Sequence, residues 1–237
     1  MHEFSRNQSI FLKFGVEFFL AIALFVYLGC EDKTGTNKDD DNNAGDDEVE
    51  IVTVGTQVWM AKNLNVTHYR NGDPIPNVTD GAQWYGLTSG AYCDYGNDPN
   101  NAATYGRLYN WYVVTDSRGL APQGWHVPSD AEWQTLISNL GGRDAAGSNM
   151  KETGNSHWLT DNSDATNASG FTALPGGYRT TGIQASFMYM GYFAKFWTSA
   201  TSPFPIMYYL NSAMTQCVQD YNNCGKMYGF SVRCIKD

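Results

Sequence analysis

Gly124-Trp125-His126-Val127-Pro128-Ser129-Asp130-Ala131-Glu132-Trp133 reads as a strand that runs into a helix. Pro128 halts the extended segment. Ser129 supplies an N-cap oxygen, and Glu132, three residues on, completes a capping box by reaching back to the cap. Trp133, Leu136, Ile137 and Leu140 then recur at helical spacing, and Gly141-Gly142 ends the pattern. Working outward from this helix, Glu50 to Met60 alternates and is rich in Val and Ile, with Gly55-Thr56 as its turn, which predicts a hairpin. Thr104 to Thr115 places Leu108, Tyr109, Tyr112 and Val113 at helical spacing and predicts a second short helix. Later segments are short and strand-like among Gly and Asn: Phe171 to Leu174, Lys195 to Ser199, Ile206 to Leu210, and Gly229 to Ile235. Two helices followed by a run of strands describe an α+β domain with high loop content.

Composition changes sharply along the 237 residues. Arg6 and Lys13 precede an apolar run of eleven residues, Phe18 to Leu28. That is too short for a hydrocarbon core that takes about 20 helical residues, and it fits the apolar centre of a signal peptide. Leu28-Gly29-Cys30 closes the run in the manner of a bacterial lipobox, predicting cleavage after residue 29 and acylation of Cys30. Residues 30–50 carry nine acidic residues against two lysines and no aromatic, so they cannot bury enough surface to fold and are expected to form a disordered tether. Residues 51–237 hold 11 basic and 13 acidic residues and all seven Trp, a nearly neutral stretch long enough for one large core. With a net charge of −9 overall and no basic face, nucleic acid is not an expected partner. The membrane, through a lipid anchor, is.

Four cysteines follow Cys30, an even count behind an export signal, which predicts two disulfides with three possible connectivities. Cys217 and Cys224 flank a turn-rich stretch and suggest a local bridge, leaving Cys93 with Cys234. No zinc-type spacing of Cys and His occurs, and no catalytic motif surrounds His68, His126 or His157, so these three are expected to be structural. Arg179 and Arg233 are expected to pair with carboxylates or backbone carbonyls. Two oxygen-rich loops (Asp94, Asn97, Asp98, Asn100 and Asn101; then Asp161, Asn162, Asp164 and Asn167) are candidates for Ca²⁺, although turn chemistry accounts for them equally well and no cofactor is expected.

Five blocks in order carry a resemblance: Val54 to Leu64, Tyr105 to Tyr112, Gly124 to Trp133, Gly170 to Arg179, and Tyr228 to Cys234. Together they resemble the Fibrobacter succinogenes major paralogous domain family, whose members are typically exported and often lipoproteins. The third and fifth blocks are more distantly similar to formylglycine-generating enzymes, which implies a C-type-lectin-like domain with two short helices and twisted antiparallel sheets. Glu31-Asp32, directly after Cys30, resembles the signal that sends some Bacteroidetes-type lipoproteins to the cell surface, which implies an outer-membrane lipoprotein exposed there. Many relatives have a Cys where this chain has Ala121, which leaves the Cys93–Cys234 pairing open. In formylglycine-generating enzymes a second Cys five residues before the terminal one helps bind copper. Here that position is Gly229, so no such enzyme activity is expected.

The expected role is a non-catalytic binding or adhesion module for a glycan or protein, with a structural subunit of a surface assembly as the alternative. Aromatic residues too numerous for one interior supply the candidate contacts: Trp84, Tyr85, Phe187, Tyr189 and Tyr192. The segment Gln184 to Phe193, which lies outside the five blocks, is the candidate binding loop.

Overall fold

The structure, a computed structural model, describes residues 49–201, 204–221 and 225–237. The expected signal peptide, Cys30, most of the expected tether and Cys224 lie outside the described residues. Among those described, no helix is long and apolar enough to cross a membrane.

The predicted hairpin forms from β1 (Ile51–Val54) and β2 (Gln57–Met60), with Val54 opposite Gln57 and Gly55 at φ +61° in the turn. α1 (Gly81–Tyr85) is capped by the Asp80 carboxylate. After it come β3 (Tyr92–Cys93), α2 (Pro99–Tyr105), β4 (Leu108–Tyr109) and α3 (Trp111–Val114). The single helix expected over Thr104 to Thr115 is thus two helices with a strand between. Gly106 explains the break: it sits at φ +75°, and a Cβ there would lie 2.7 Å from Cβ of Asn63. The chain turns at Gly106, Leu108–Tyr109 pairs with Tyr92–Cys93, and Asn110 caps a new turn of helix.

β5 (Trp125–His126) leads into α4 (Asp130–Asn139), whose capping box at Ser129 and Glu132 forms as read. Gly141 and Gly142 adopt φ +90° and +87°, and α5 (Arg143–Met150) begins directly after them. α5 carries no apolar periodicity and went unpredicted. Phe171 to Leu174 is not a strand. Thr172 stands at φ +49°, Ala173 makes only an isolated bridge to Lys151, and the strand comes later as β6 (Gly176–Arg179). Next are β7 (Phe187–Met190), β8 (Phe193–Trp197), β9 (Met207–Asn211), β10 (Cys217–Asp220) and β11 (Ile235–Lys236). The strand expected over Gly229 to Ile235 reduces to single bridges at Gly229, Phe230 and Ser231 followed by β11.

The class is α+β, with a four-stranded sheet ordered β1-β2-β11-β5 and a five-stranded sheet ordered β10-β9-β8-β6-β7. β3 and β4 form a separate pair. One side of the larger sheet presents Ala194, Phe196, Tyr208 and Leu210 to Trp133 and Leu136 of α4 and to Ala146 and Met150 of α5. Trp133 is the centre of this cluster, stacked on Tyr208 at 5.0 Å and touching Trp59, Phe171 and Phe196. The other side joins Trp197 and Met207 to Tyr109, Phe230 and Val232.

Two buried arginines hold the loops to these sheets, and both use carbonyls rather than carboxylates. Arg179 donates from Nε to Ala185 O and from its two Nη atoms to Val78 O and Thr79 O. Arg233 donates to the carbonyls of Met60, Ala61 and Phe171 and to Oδ1 of Asn63.

The Cys93–Cys234 bridge is absent. Cys93 lies with Trp84 and Leu108, Cys234 in the cluster around Trp197, and both are free buried thiols, as is Cys217. Burial pushes the Cys93 and Cys234 thiols up to about 12, so neither ionises near neutrality.

Candidate functional site

Alternation along β8 sends Phe193, Lys195 and Trp197 to the side of the sheet away from α4. The ladder places Tyr209 opposite Lys195 and Met207 opposite Trp197. Trp197 and Met207 are buried, whereas Phe193, Lys195 and Tyr209 are only half-buried, so the cluster opens toward one end of the strands. The segment Gly229–Ser231 runs beside β8. Trp197 N donates to Ser231 O and Ser231 N donates to Lys195 O, both at 3.0 Å. That course sets the Phe230 ring 4.4 Å from Trp197 and stacks Tyr228 on Phe230 at 5.3 Å. β6 adds Tyr178, 5.8 Å from Phe230.

Tyr189 completes the face through an irregular backbone. Strand alternation would keep Tyr189 on the same side as Phe187. Phe187 instead contacts Tyr95 at 5.3 Å and lies under the Arg179 guanidinium. Tyr189 stacks on Tyr178, with centroids 5.9 Å apart and planes 24° apart, and meets Phe193 edge-on at 5.4 Å. The switch coincides with Tyr189 at φ +61°, across the β6–β7 ladder from Gly177 at φ +63°. A Cβ on Gly177 would lie 2.6 Å from Met188 O and Met190 N, so only glycine fits there. A bulky residue in this region carries roughly 1–3 kcal/mol of strain, which the surrounding structure must offset. The strain turns an exposed tyrosine onto the aromatic face.

Lys195 stands at the centre. Its Nζ lies 4.0 Å from the centroid of Tyr178, 5.4 Å from those of Phe193 and Phe230, and 5.8 Å from that of Tyr209. Each such cation–ring contact contributes about 0.5–2 kcal/mol, depending on desolvation. The Tyr178 hydroxyl is held above the ordinary tyrosine pKa by burial and then by its neighbours Tyr189 and Tyr228, so it remains a neutral donor.

Of the five aromatic residues expected to contact ligand, only Tyr189 belongs to this face. Tyr192 is exposed in the β7–β8 turn, and Phe187 packs on the other side of the hairpin. Trp84 is corrected to core: it is fully buried, donates from Nε1 to Met227 O, and lies under Arg179. Tyr85 is exposed on α1 and makes no ring contact with this face. Phe193 ends the segment read as the candidate binding loop, whereas Tyr178, Lys195 and Tyr228 were missed. The alternation Phe193-Ala194-Lys195-Phe196-Trp197 was the available signal.

Several polar groups of both oxygen-rich loops are used internally, although Asn162 Oδ1 is buried without a hydrogen-bond partner. Asp94 pairs with Arg107, Asp98 caps α2, and the Asn97 and Asn101 amides donate to Thr79 O and Tyr95 O. In the second loop Asp161 accepts from Ser163 N, while Asn162 donates to the carbonyls of Glu152 and Gly154. Among the described residues, no group of three or more His, Cys, Asp or Glu side chains is arranged to hold a metal.

His126, read from sequence as lacking any orienting partner, has two. Nε2 is 2.8 Å from Glu132 Oε1 and Nδ1 is 2.8 Å from Asp237 Oδ1. Ser129 Oγ donates to Glu132 Oε2, not to the ring, so the arrangement resembles a clasp rather than a nucleophile–base pair. Burial opposes the imidazolium, but the two carboxylates outweigh it and raise the His126 pKa above 6.5. Burial likewise opposes the Glu132 carboxylate, yet hydrogen bonds from Ser129 and His126 leave its pKa below 4.5. The histidine contribution is full below the unfolded value of 6.5 and is lost as pH rises through the raised folded pKa. The glutamate contribution is full above 4.5 and is lost as pH falls through the lowered one. His126→Gln is therefore expected to lower the thermal midpoint most between pH 4.5 and 6.5. The imidazole is 38% exposed, so the difference should stay below about 1 kcal/mol. A gap that is flat from pH 4 to 9 would show that the clasp carries no charge.

Comparisons with curated proteins and with solved structures found no match. The family model described as the Fibrobacter succinogenes major domain matches residues 52–236, nearly the whole of the described fold and every block from which the resemblance was read, and the chain belongs to that family.

Proposed function

We propose that the chain is a surface-anchored, non-catalytic module that binds carbohydrate on the open aromatic face around Tyr189 and Tyr209. The observation that carries this reading is the half-exposed rim of the cluster. A soluble fold gains most by closing such rings into its core, yet here a strained backbone turns Tyr189 outward onto them. Tyrosine rings on a sheet supply flat apolar area for the C–H faces of a sugar, and their hydroxyls supply hydrogen bonds at the edge. A sheet also holds them in place before binding, which limits the entropy lost on association.

The anchor in this reading is acylated Cys30, with the acidic residues 31–50 as tether and the outer membrane as the site. The architecture in this reading is a C-type-lectin-like variant. A non-catalytic role agrees with the setting of Cys234, whose thiol is buried and held protonated. Five residues before it stands Gly229, not a second thiol, and a Cβ there would be tightly placed, 3.1 Å from both Arg179 Cβ and the Trp84 ring. The alternative, a subunit of a surface assembly, draws on the β7 edge strand, where Met188 is exposed and no charged residue intervenes between Arg179 and Lys195.

The test uses cells displaying the full chain, screened against a glycan array. Wild-type cells are expected to retain the protein and capture a defined set of glycans. Cys30→Ala should release it from the membrane fraction. Tyr189→Ala should keep it on the surface while reducing capture at least tenfold. Retention of Cys30→Ala in the membrane with unchanged lipid labelling would refute the anchor. Wild-type capture undiminished by Tyr189→Ala would refute the site, and concentration-dependent oligomers with no glycan signal would favour assembly.

A further inference from the structure

The side of the five-stranded sheet turned away from the aromatic face carries an open groove of about 520 Å³ between α4 and β10. Ile137 and Ser138 of α4 form one wall and β10 the other, over a floor of buried Tyr208 and Cys217. β10 is an edge strand. Thr198 N donates to Ile206 O and Ser212 N donates to Tyr192 O, so the even-numbered residues of β9 bond toward β8 and the odd-numbered ones toward β10. Met207 and Tyr209 therefore bond to the strand positions opposite them, 220 and 218, and the backbone N–H and C=O of Cys217 and Gln219 point off the sheet. Among the described residues, no backbone group outside the ladder pairs with them. Such an edge is a template for one more strand.

Charge gives the groove a direction. At its Gln219 end the Asp130 carboxylate accepts from Tyr208 Oη, Gln219 Nε2 and Gln134 Nε2. At its Cys217 end stands Arg143, exposed and without a carboxylate partner among the described residues, while its neighbour Asp144 accepts from Gln216 Nε2. We propose that an extended peptide ending in a free carboxylate adds to β10 in this groove, antiparallel to it. That direction brings the carboxylate to Arg143 and keeps it from Asp130, whereas a parallel peptide would meet the acidic end first. The peptide residues opposite Cys217 and Gln219 would turn their side chains toward α4, where Ile137 and Tyr208 suit an apolar group. The inference is independent of the carbohydrate reading, since the groove lies on the opposite side of the sheet and uses none of the rings of the aromatic face.

The experiment offers the full chain, purified in detergent, an array of short random peptides anchored by their N-termini with the C-terminal carboxylate free, and the same array amidated. The best free-acid peptide is expected to bind at least tenfold more tightly than its amide, with a preference that shrinks as salt rises. Arg143→Gln should bind acid and amide alike, and because Arg143 is exposed its thermal midpoint should stay that of the wild type. N-methylation of the peptide tests strand addition without altering the protein: methyl groups on the residues that pair with Cys217 and Gln219 should abolish binding, and those on the intervening residues should be tolerated. Binding should also slow hydrogen exchange at the Cys217 and Gln219 amides. Equal capture on the two arrays, or a preference for the acid that survives Arg143→Gln, would overturn the assignment of the carboxylate to Arg143. Indifference to N-methylation in both registers would overturn strand addition. Acetate that displaces the peptide at equal concentration would reduce the groove to a small-anion site, and absence of any captured peptide would overturn the proposal whole.

Discussion

Arg233→Leu is expected to destabilise the domain by at least about 4 kcal/mol, a large part of the roughly 5–15 kcal/mol that holds a typical domain together. The guanidinium is buried and stacks on Phe171 at 4.3 Å. Its Nη1 donates to Ala61 O at 2.9 Å, Phe171 O at 2.8 Å and Met60 O at 3.1 Å, and Nε donates to Asn63 Oδ1 at 2.9 Å. These acceptors come from the end of β2, the loop after it, and the irregular segment before β6, so one side chain ties three parts of the chain together. Leucine would fill much of the volume but leave the carbonyls without a donor. A buried acceptor stripped of its partner costs about 1–3 kcal/mol, and several are stripped at once. Urea unfolding of the variant against the wild type measures the loss. Lys62→Leu, which removes only an exposed pair with Glu50, should leave the midpoint nearly unchanged. A loss below about 1 kcal/mol for Arg233→Leu would mean that water replaces the guanidinium, and that the arginine is not the tie.

The parts of the fold legible in the sequence are those whose cause is local. The capping box of α4 needs only Ser129, Glu132 and the apolar residues that follow, and it forms as read. The β1–β2 hairpin needs only its alternation and a glycine in the turn. The helix misread over Thr104 to Thr115 failed because periodicity continued through Gly106, whose close approach to Asn63 and Leu64 depends on a loop distant in sequence. Trp84 was read as a surface ring only because the aromatic residues are too numerous for one interior, a count that does not say which of them are exposed. It is core because Arg179 lies over its ring and Met227 accepts from its indole nitrogen.

The candidate site follows the same division. Tyr189 was readable as an exposed aromatic outside the family blocks. Its partners were not, since they depend on the register that sets Lys195 opposite Tyr209 and on two facing residues in the left-handed region. Cysteine parity predicted two bridges from counting alone, but Cys93 and Cys234 enter different clusters, and parity holds no information about distance.

Gly147→Ala is expected to destabilise by about 2–3 kcal/mol, even though alanine is the better helix former by about 1 kcal/mol. The residue sits within α5, where the usual reading of a mid-helix glycine is a weakness to be repaired. Its surroundings reverse that reading. A Cβ at Gly147 would stand 2.4 Å from Gln216 O and 2.5 Å from Thr215 O, both backbone atoms in the segment leading into β10. Ser148 N donates to Thr215 O at 3.0 Å, so the helix cannot back away without giving up that bond. The small residues Ala145, Ala146, Gly147 and Ser148, which hid α5 from any search for apolar periodicity, let its backbone approach the sheet this closely. Gly86→Ala is the control: φ is −81°, and the nearest atom to its Cβ is Ala82 O at 3.6 Å, an ordinary contact. Its effect should lie within about 0.5 kcal/mol of zero. Thermal or urea unfolding of both variants decides between propensity and packing. A Gly147→Ala protein as stable as the wild type or more so would mean that the Thr215–Gln216 backbone moves aside at little cost, and that close approach is not what placed glycine in this helix.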